Sequence, residues 1–471
     1  MDSQQWQLVA LALASVAVLV VLVVKFKWNA MFALPAASAV MAVGAVNLGV
    51  HPLGADGQPV AEAWTYAQSF AAFAQKFWAI LSDFSPTGIT PIIILGAISG
   101  RILASSSGAD SLAKGLLRTF GINRAGLCIM ALALCVGLST WFAVGFLLLL
   151  PILHSLVRET GRPFLALALP LLSFLSVMHG VMPPHPGPVV AVKYLHASTG
   201  ATLIWGMIVG IPVAAVAGPL FARIVSRRFT VTPGDVGAPA HVRSGTLAPF
   251  GTTLFIILLP ILLMMAASAA EIVGGESITI KVVRMAGAPS LALLMGILAM
   301  LMVPSLRPEG SLAPVPGIVR NCIKSVGPTI LTVAAGGGFA KVLTTSGLAK
   351  ILGDLAASAN LSIFVYGWLA AAFVRVVTGS ATVSITVAAE LLVPQLQNSP
   401  NTVPELLIVA IGCGSLFFSH LNDAGFWIVK DSLKISIRDM LRTWTITETL
   451  VGISGLGFTI LVSKIRDLIL A

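Results

Sequence analysis

Apolar residues run along this chain in long blocks separated by short polar connections. Residues 6–24 carry no charge, and neither do residues 28–50, 250–270 and 286–306. A further apolar block covers 446–463. A helix needs about 20 apolar residues to cross a bilayer. One such block would be an anchor, whereas this many make the bilayer the solvent of the whole chain. The pattern predicts an all-α integral membrane protein with about ten full spans and two shorter re-entrant hairpins, up to about fourteen hydrophobic segments in all. Residues 1–27 have no basic leader and an apolar stretch too long for a signal peptide, so they are expected to stay as a first helix.

Interruptions within the blocks point to the working parts. Irregular backbone at membrane depth is tolerated only where protein or a water-filled cavity surrounds it. Residues 125–157 are too long for one span, yet both flanks are basic; their middle reads GLSTWFAVG at 137–145. This predicts a hairpin entered from the cytoplasm, with its tip near Ser139 and Thr140. Residues 361–396 form its counterpart, interrupted by TGSAT at 378–382 with Arg375 one turn earlier. The segment HGVMPPHPGP at 179–188 has four prolines, so it is expected to be an unwound loop after a span over 164–178. SHLNDAGFW at 419–427 sets Ser, His, Asn and Asp side by side next to another span. Ionisable groups at such depth are functional candidates.

These interruptions recur in order. GRILASSSG at 100–108 parallels AKVLTTSG at 340–347, FLLLLPIL at 146–153 parallels AELLVPQL at 389–396, and SVMHG at 176–180 parallels FFSHL at 417–421. The offsets stay between 240 and 243 (101 to 341, 146 to 389, 176 to 417). Connection charges give the direction of each half. Lys114, Arg118 and Arg124 mark a cytoplasmic connection, as do the arginines at 223, 227, 228 and 243, whereas Asp56, Glu62 and Asp83 outweigh Lys76 in a connection suited to the outside. This puts the N-terminus outside and turns the two halves upside down relative to each other, an arrangement common in transporters. The expected organisation is a first repeat over 1–228, a cytoplasmic linker over 229–247 and a second repeat over 248–471.

Composition narrows the function. Only 10% of residues are charged, against about 25% in soluble domains, so there is too little charge for a water-facing surface. The net charge of +10 sits in short connections, where it sets topology and does not bind nucleic acid. The four cysteines lie in or beside apolar blocks without ligand spacing, which suits buried packing and gives no metal site. No GxSxG, HExxH or DxD arrangement is present, so an enzyme is not expected. The run Gly336–Gly338 serves either helix packing or a site. An anion channel or a membrane-embedded receptor is the rival class; no connection is long enough for a soluble output domain.

HGVMPPHPGP, together with SHLNDAGFWIVKD at 419–431 and RDMLRTWTITET at 438–449, resembles the gluconate permease family of the ion transporter superfamily. The likeness includes GRILASSSGAD, VGFLLLLP and RVVTGSATV and extends from about Pro91 to the C-terminus. It implies a secondary transporter of the bacterial inner membrane that imports a sugar acid such as gluconate by proton symport. It also implies an elevator-type motion, a homodimer and no cofactor. D-serine or a short hydroxycarboxylate is the alternative cargo, and sodium the alternative coupling ion. Where the family usually carries an acid before VGF this chain has Ala143, and Ser105 replaces another acid. The expected cargo is thus a small hydroxylated organic anion. Its carboxylate would meet helix N-termini at the hairpin tips, helped by Arg375, with Ser139, Thr140, Thr378, Gly379, Ser380 and Thr382 around it. Asn422, Asp423, His179 and His185 would complete the pocket. Asp423 leads the proton-coupling candidates, followed by His420, Glu390 and Glu448.

Overall fold

The computed structural model describes residues 3–54, 59–227 and 247–470; these are mainly helical, with one isolated β-bridge between Leu53 and Pro59. The linker expected at 229–247 lies outside the described residues except for Leu247. The chain opens with α1 (Ser3–Val20), α2 (Ala30–Asn47) and α3 (Tyr66–Leu81). A first series follows: α4 (Ile89–Ser105), α5 (Gly108–Phe120), α6 (Ala125–Ser139), α7 (Phe142–Thr160), α8 (Phe164–Val181), α9 (Pro186–Tyr194), α10 (Thr199–Ala215) and α11 (Phe221–Val225). Next come α12 (Phe250–Val273), α13 (Ile278–Ala286) and α14 (Pro289–Met302). A second series closes the chain: α15 (Val315–Thr345), α16 (Leu348–Ser358), α17 (Ile363–Thr378), α18 (Ala381–Gln397), α19 (Pro404–Gly414), α20 (Ala424–Leu433), α21 (Ile437–Arg442) and α22 (Trp444–Leu470). Among the described residues, nine helices are long and apolar enough to cross a membrane, or eleven if each of two bent pairs forms one span.

The second series repeats the order of the first. In each, a span ends at a Ser-Gly-containing break and continues as a short helix, α4 into α5 and α15 into α16. A hairpin follows, α6–α7 and α17–α18, then a span, α8 and α19, then a break and a short helix, α9 and α20. The arms of each hairpin fold back on each other. At the open end of the first, Arg162 Nη2 donates to Asn123 O at 2.6 Å, joining the start of α6 to the end of α7. Neither arm of one hairpin packs along an arm of the other. Residues of both tips, Trp141 and Phe142 from the first and Gly379 and Ser380 from the second, line one cavity.

The proline-rich stretch differs from its expectation. The helix α8 continues through His179 to Val181, and only Met182–His185 leave helical order before α9 begins at Pro186. Pro186 and Pro188 sit in the first turn of α9, where an N–H has no intrahelical acceptor and proline is tolerated. His179 is therefore a helical residue facing inward. Gly336–Gly338 proves to be packing. A Cβ on Gly337 would meet Ile80 Cδ1 at 2.4 Å, and one on Gly338 would meet Phe73 Cδ2 at 2.6 Å, so α3 lies directly against α15.

Gly338→Val should lower stability by about 1–3 kcal/mol, the usual cost of overpacking, read as an earlier thermal unfolding midpoint of the purified protein in detergent. Gly327→Ala, on the same helix with open space around it, should leave that midpoint unchanged or slightly raised.

Candidate functional site

Both hairpin tips open onto one cavity of about 380 Å³, within the range of about 300–1,000 Å³ usual for small-molecule sites. Several helix N-termini reach it, among them α7 with Trp141, Phe142 and Ala143, α18 with Ser380, Ala381 and Thr382, α20 with Asp423, Ala424 and Gly425, and α9 with Pro186. First-turn N–H groups lack intrahelical acceptors and carry the positive end of the helix dipole, so such termini favour an anion. The remaining wall comes from Asn29 and Ala30 at the start of α2, Ser176 and His179 on α8, Pro328, Thr329, Thr332 and Val333 inside α15, and Trp444 and Glu448 on α22.

The second tip is held by a buried ion pair. Arg375 Nη2 donates to Asp423 Oδ2 at 2.5 Å, and Nη1 donates to the carbonyl of Gly379, also at 2.5 Å. Asp423 Oδ2 also accepts from the Ser419 hydroxyl, while Oδ1 accepts from Gly425 N at 2.8 Å and caps α20. Trp444 Nε1 donates to Ser419 Oγ at 2.7 Å and links this cluster to α22. Gly379, at φ +68°, closes α17 through its N–H to Arg375 O. Its missing side chain is needed: a Cβ there would lie 2.2 Å from Asn422 O.

Each hairpin's first arm ends in carbonyls that need donors, and the two halves answer alike. Asn422 Nδ2 donates to Val376 O at 2.8 Å and to Val377 O at 3.2 Å, the last turn of α17. His185 Nε2 lies 2.7 Å from Gly137 O, in the last turn of α6. A carbonyl partner requires the proton on Nε2. Asn422 and His185 thus stabilise the breaks, and neither lines the cavity.

The remaining expected residues divide. Arg375, Gly379, Ser380, Thr382, Asp423, His179 and Glu448 meet at the cavity. Ser139 and Thr140 do not: Ser139 Oγ donates to Ile257 O on α12 at 3.0 Å, and Thr140 Oγ1 to Val136 O at 2.8 Å. The break falls one residue later than expected, so Trp141–Ala143 form the tip. The Thr378 hydroxyl is likewise spent on Val374 O at 2.8 Å. Glu390 lies lower on α18, 2.8 Å from Lys76 Nζ, and His420 packs beside Phe418, both outside the lining. Glu448 is fully buried, with Oε2 accepting from Ser176 Oγ at 2.9 Å and Oε1 without a partner. Ala143 lies on the lining, whereas Ser105 does not; it bonds Arg101 O at the end of α4. Thr329 and Thr332 escaped the sequence reading. Pro328 inside an apolar span was the available signal, since its ring removes one helical hydrogen bond.

A helical membrane protein whose two broken hairpins close on one partly polar cavity is a multi-pass transporter. The chain belongs to the GntP permease family, whose profile matches residues 87–465. It is thus a permease of the bacterial inner membrane and not an enzyme. It is 34% identical to the gluconate permease of Pseudomonas aeruginosa over 96% of this chain and 97% of that one. It is 33% identical to the Gnt-II system L-idonate transporter of Escherichia coli over 78% of this chain and 84% of that one. Among solved structures, the YdaH transporter of Alcanivorax borkumensis shares the fold, with a TM-score of 0.63 and 15% identity over 93% of this chain and 98% of that one.

Arg375→Met leaves Asp423 buried without its cation and should cost about 3–5 kcal/mol. Thermal unfolding should show this loss, with Arg375→Met/Asp423→Asn recovering part of the stability. Equal destabilisation by the single and double variants would contradict a paired charge cluster.

Proposed function

We propose that this protein imports a sugar acid, gluconate or a close relative, by proton symport. The observation that carries the reading is the convergence of helix N-termini from both hairpins on one cavity whose charges are a closed Arg–Asp pair and one separate carboxyl group. The substrate carboxylate docks against the first turns of α7 and α18. The hydroxyls of Thr329 and Thr382 read the polyol chain, and Trp141 and Phe142 cover its C–H faces. Thr332 Oγ1, whose proton goes to Pro328 O at 2.7 Å, and Ser380 Oγ, which caps Val383 N, offer the chain acceptor lone pairs. Names of relatives support the substrate class: a gluconate permease similar along nearly its whole length, and an L-idonate transporter.

Glu448 carries the coupling proton in this reading, in preference to Asp423. Both carboxylate oxygens of Asp423 already accept hydrogen bonds, one of them from the guanidinium of Arg375. Protonating it would leave that cation buried and unpaired. Glu448 lines the cavity and has a partnerless buried oxygen, and among the described residues no cation is bonded to its carboxyl group. Two unit negative charges about 5 Å apart at an effective dielectric of about 20 repel by about 3 kcal/mol, roughly a hundredfold in affinity. A charged Glu448 would therefore repel the anion and a protonated one admit it. By linkage the bound anion holds the proton in turn. The hairpins then carry substrate and proton across together by moving against the rest of the helices as an elevator.

Proteoliposomes with an inward proton gradient should accumulate labelled gluconate, with L-idonate competing better than D-serine or short hydroxy acids. Preferential competition by D-serine would overturn the substrate assignment. Glu448→Gln should keep gluconate exchange between equal pools but lose accumulation driven by the pH gradient. Gradient-driven accumulation at wild-type levels would remove Glu448 from the coupling role.

A further inference from the structure

A second cavity, of about 260 Å³, lies at the open end of the first hairpin, away from the transport site. Three arginines from separate elements share it: Arg124 at the start of α6, Arg162 just before α8, and Arg223 on α11. Among the described residues its lining contains no acid. Among the described residues none of the three arginines forms an ion pair, and the Arg162 guanidinium bonds a backbone carbonyl, Asn123 O. Like charges brought to one mouth repel one another, and the arrangement gains from an anion between them. Guanidinium groups match phosphate oxygens two at a time.

Apart from Ser226 near the mouth, the rest of the lining is apolar, and much of it lies deeper along the same helices. Met130 is six residues beyond Arg124, or about 9 Å along α6, and Pro170 is eight beyond Arg162, or about 12 Å along the helix direction. Pro219 and Ala222 close the other wall. A soluble anion would use the arginines and leave this floor empty. A lipid uses both, because its phosphate sits at the helix ends and its acyl chain follows the helices inward. The connections holding these arginines are the ones that loop charge assigns to the cytoplasm, the side of the anionic leaflet.

We propose that this cavity binds the phosphate headgroup of an anionic phospholipid, with one acyl chain in the apolar slot beside α6 and α8. The purified protein should retain phosphatidylglycerol in native mass spectrometry, with at least about fivefold less retained by Arg124→Gln/Arg223→Gln. Arg118→Gln, a basic residue of α5 outside the cavity, should retain it as wild type does. Added phosphatidylglycerol should raise the wild-type unfolding midpoint more than phosphatidylcholine or inorganic phosphate does. If the double variant unfolds during purification, Arg223→Gln alone gives the same reading with a smaller loss. Equal retention by wild type and the cavity variants would overturn the proposal. An equal midpoint shift from inorganic phosphate would also overturn it, reducing the cavity to an anion site without a lipid.

Discussion

A helix broken inside an apolar layer leaves N–H and C=O groups that water cannot reach, and each must find a partner within the protein. This constraint shapes the whole molecule. At both hairpins the carbonyls ending the first arm receive donors from the break of the following span, His185 to Gly137 and Asn422 to Val376 and Val377. With those carbonyls satisfied, the first-turn N–H groups of α7, which has no side-chain cap, and those of Ala381 and Thr382 ahead of the Ser380–Val383 cap on α18 are left to face a shared cavity. The same breaks that would be costly in lipid thereby become a site for a negatively charged ligand.

The Arg375–Asp423 pair extends this logic to charge. It ties the end of α17 to the start of α20, and through Ser419 and Trp444 to α22. The cluster contributes no net charge, so among the described residues the titratable groups left on the lining are Glu448 and His179. A pocket that is neutral with a protonated Glu448, lined by dipole ends and hydroxyls, suits an anion travelling with a proton. The fold is supported elsewhere by close packing, as where Gly337 and Gly338 admit α3 against α15. There small residues serve contact and not chemistry.

Much of this could be read from the sequence. Block length set the helical membrane class. The interruptions at 137–145 and 378–382 located both hairpins, because polar and glycine residues clustered inside an apolar run mark backbone that leaves the helix. The misses arose where side chains serve the backbone. Ser139, Thr140 and Thr378 have the right chemistry for a ligand, but their hydroxyls return to carbonyls of their own turn or of α12, a choice set by three-dimensional proximity. The proline count at 179–188 suggested a longer unwound segment than exists, since prolines in a first helical turn cost little. Thr329 and Thr332 reach the cavity from the middle of a long span, where the local signal is Pro328, which marks a weakened turn but not the face that turns inward.

The most direct test of the central claim is a structure determined with gluconate bound. The carboxylate should lie between the tips, within hydrogen-bond reach of backbone N–H groups of Phe142–Ala143 and Ala381–Thr382, with the polyol chain toward Thr329 and Thr332. Density for the ligand outside this cavity, or touching only one hairpin, would contradict the account.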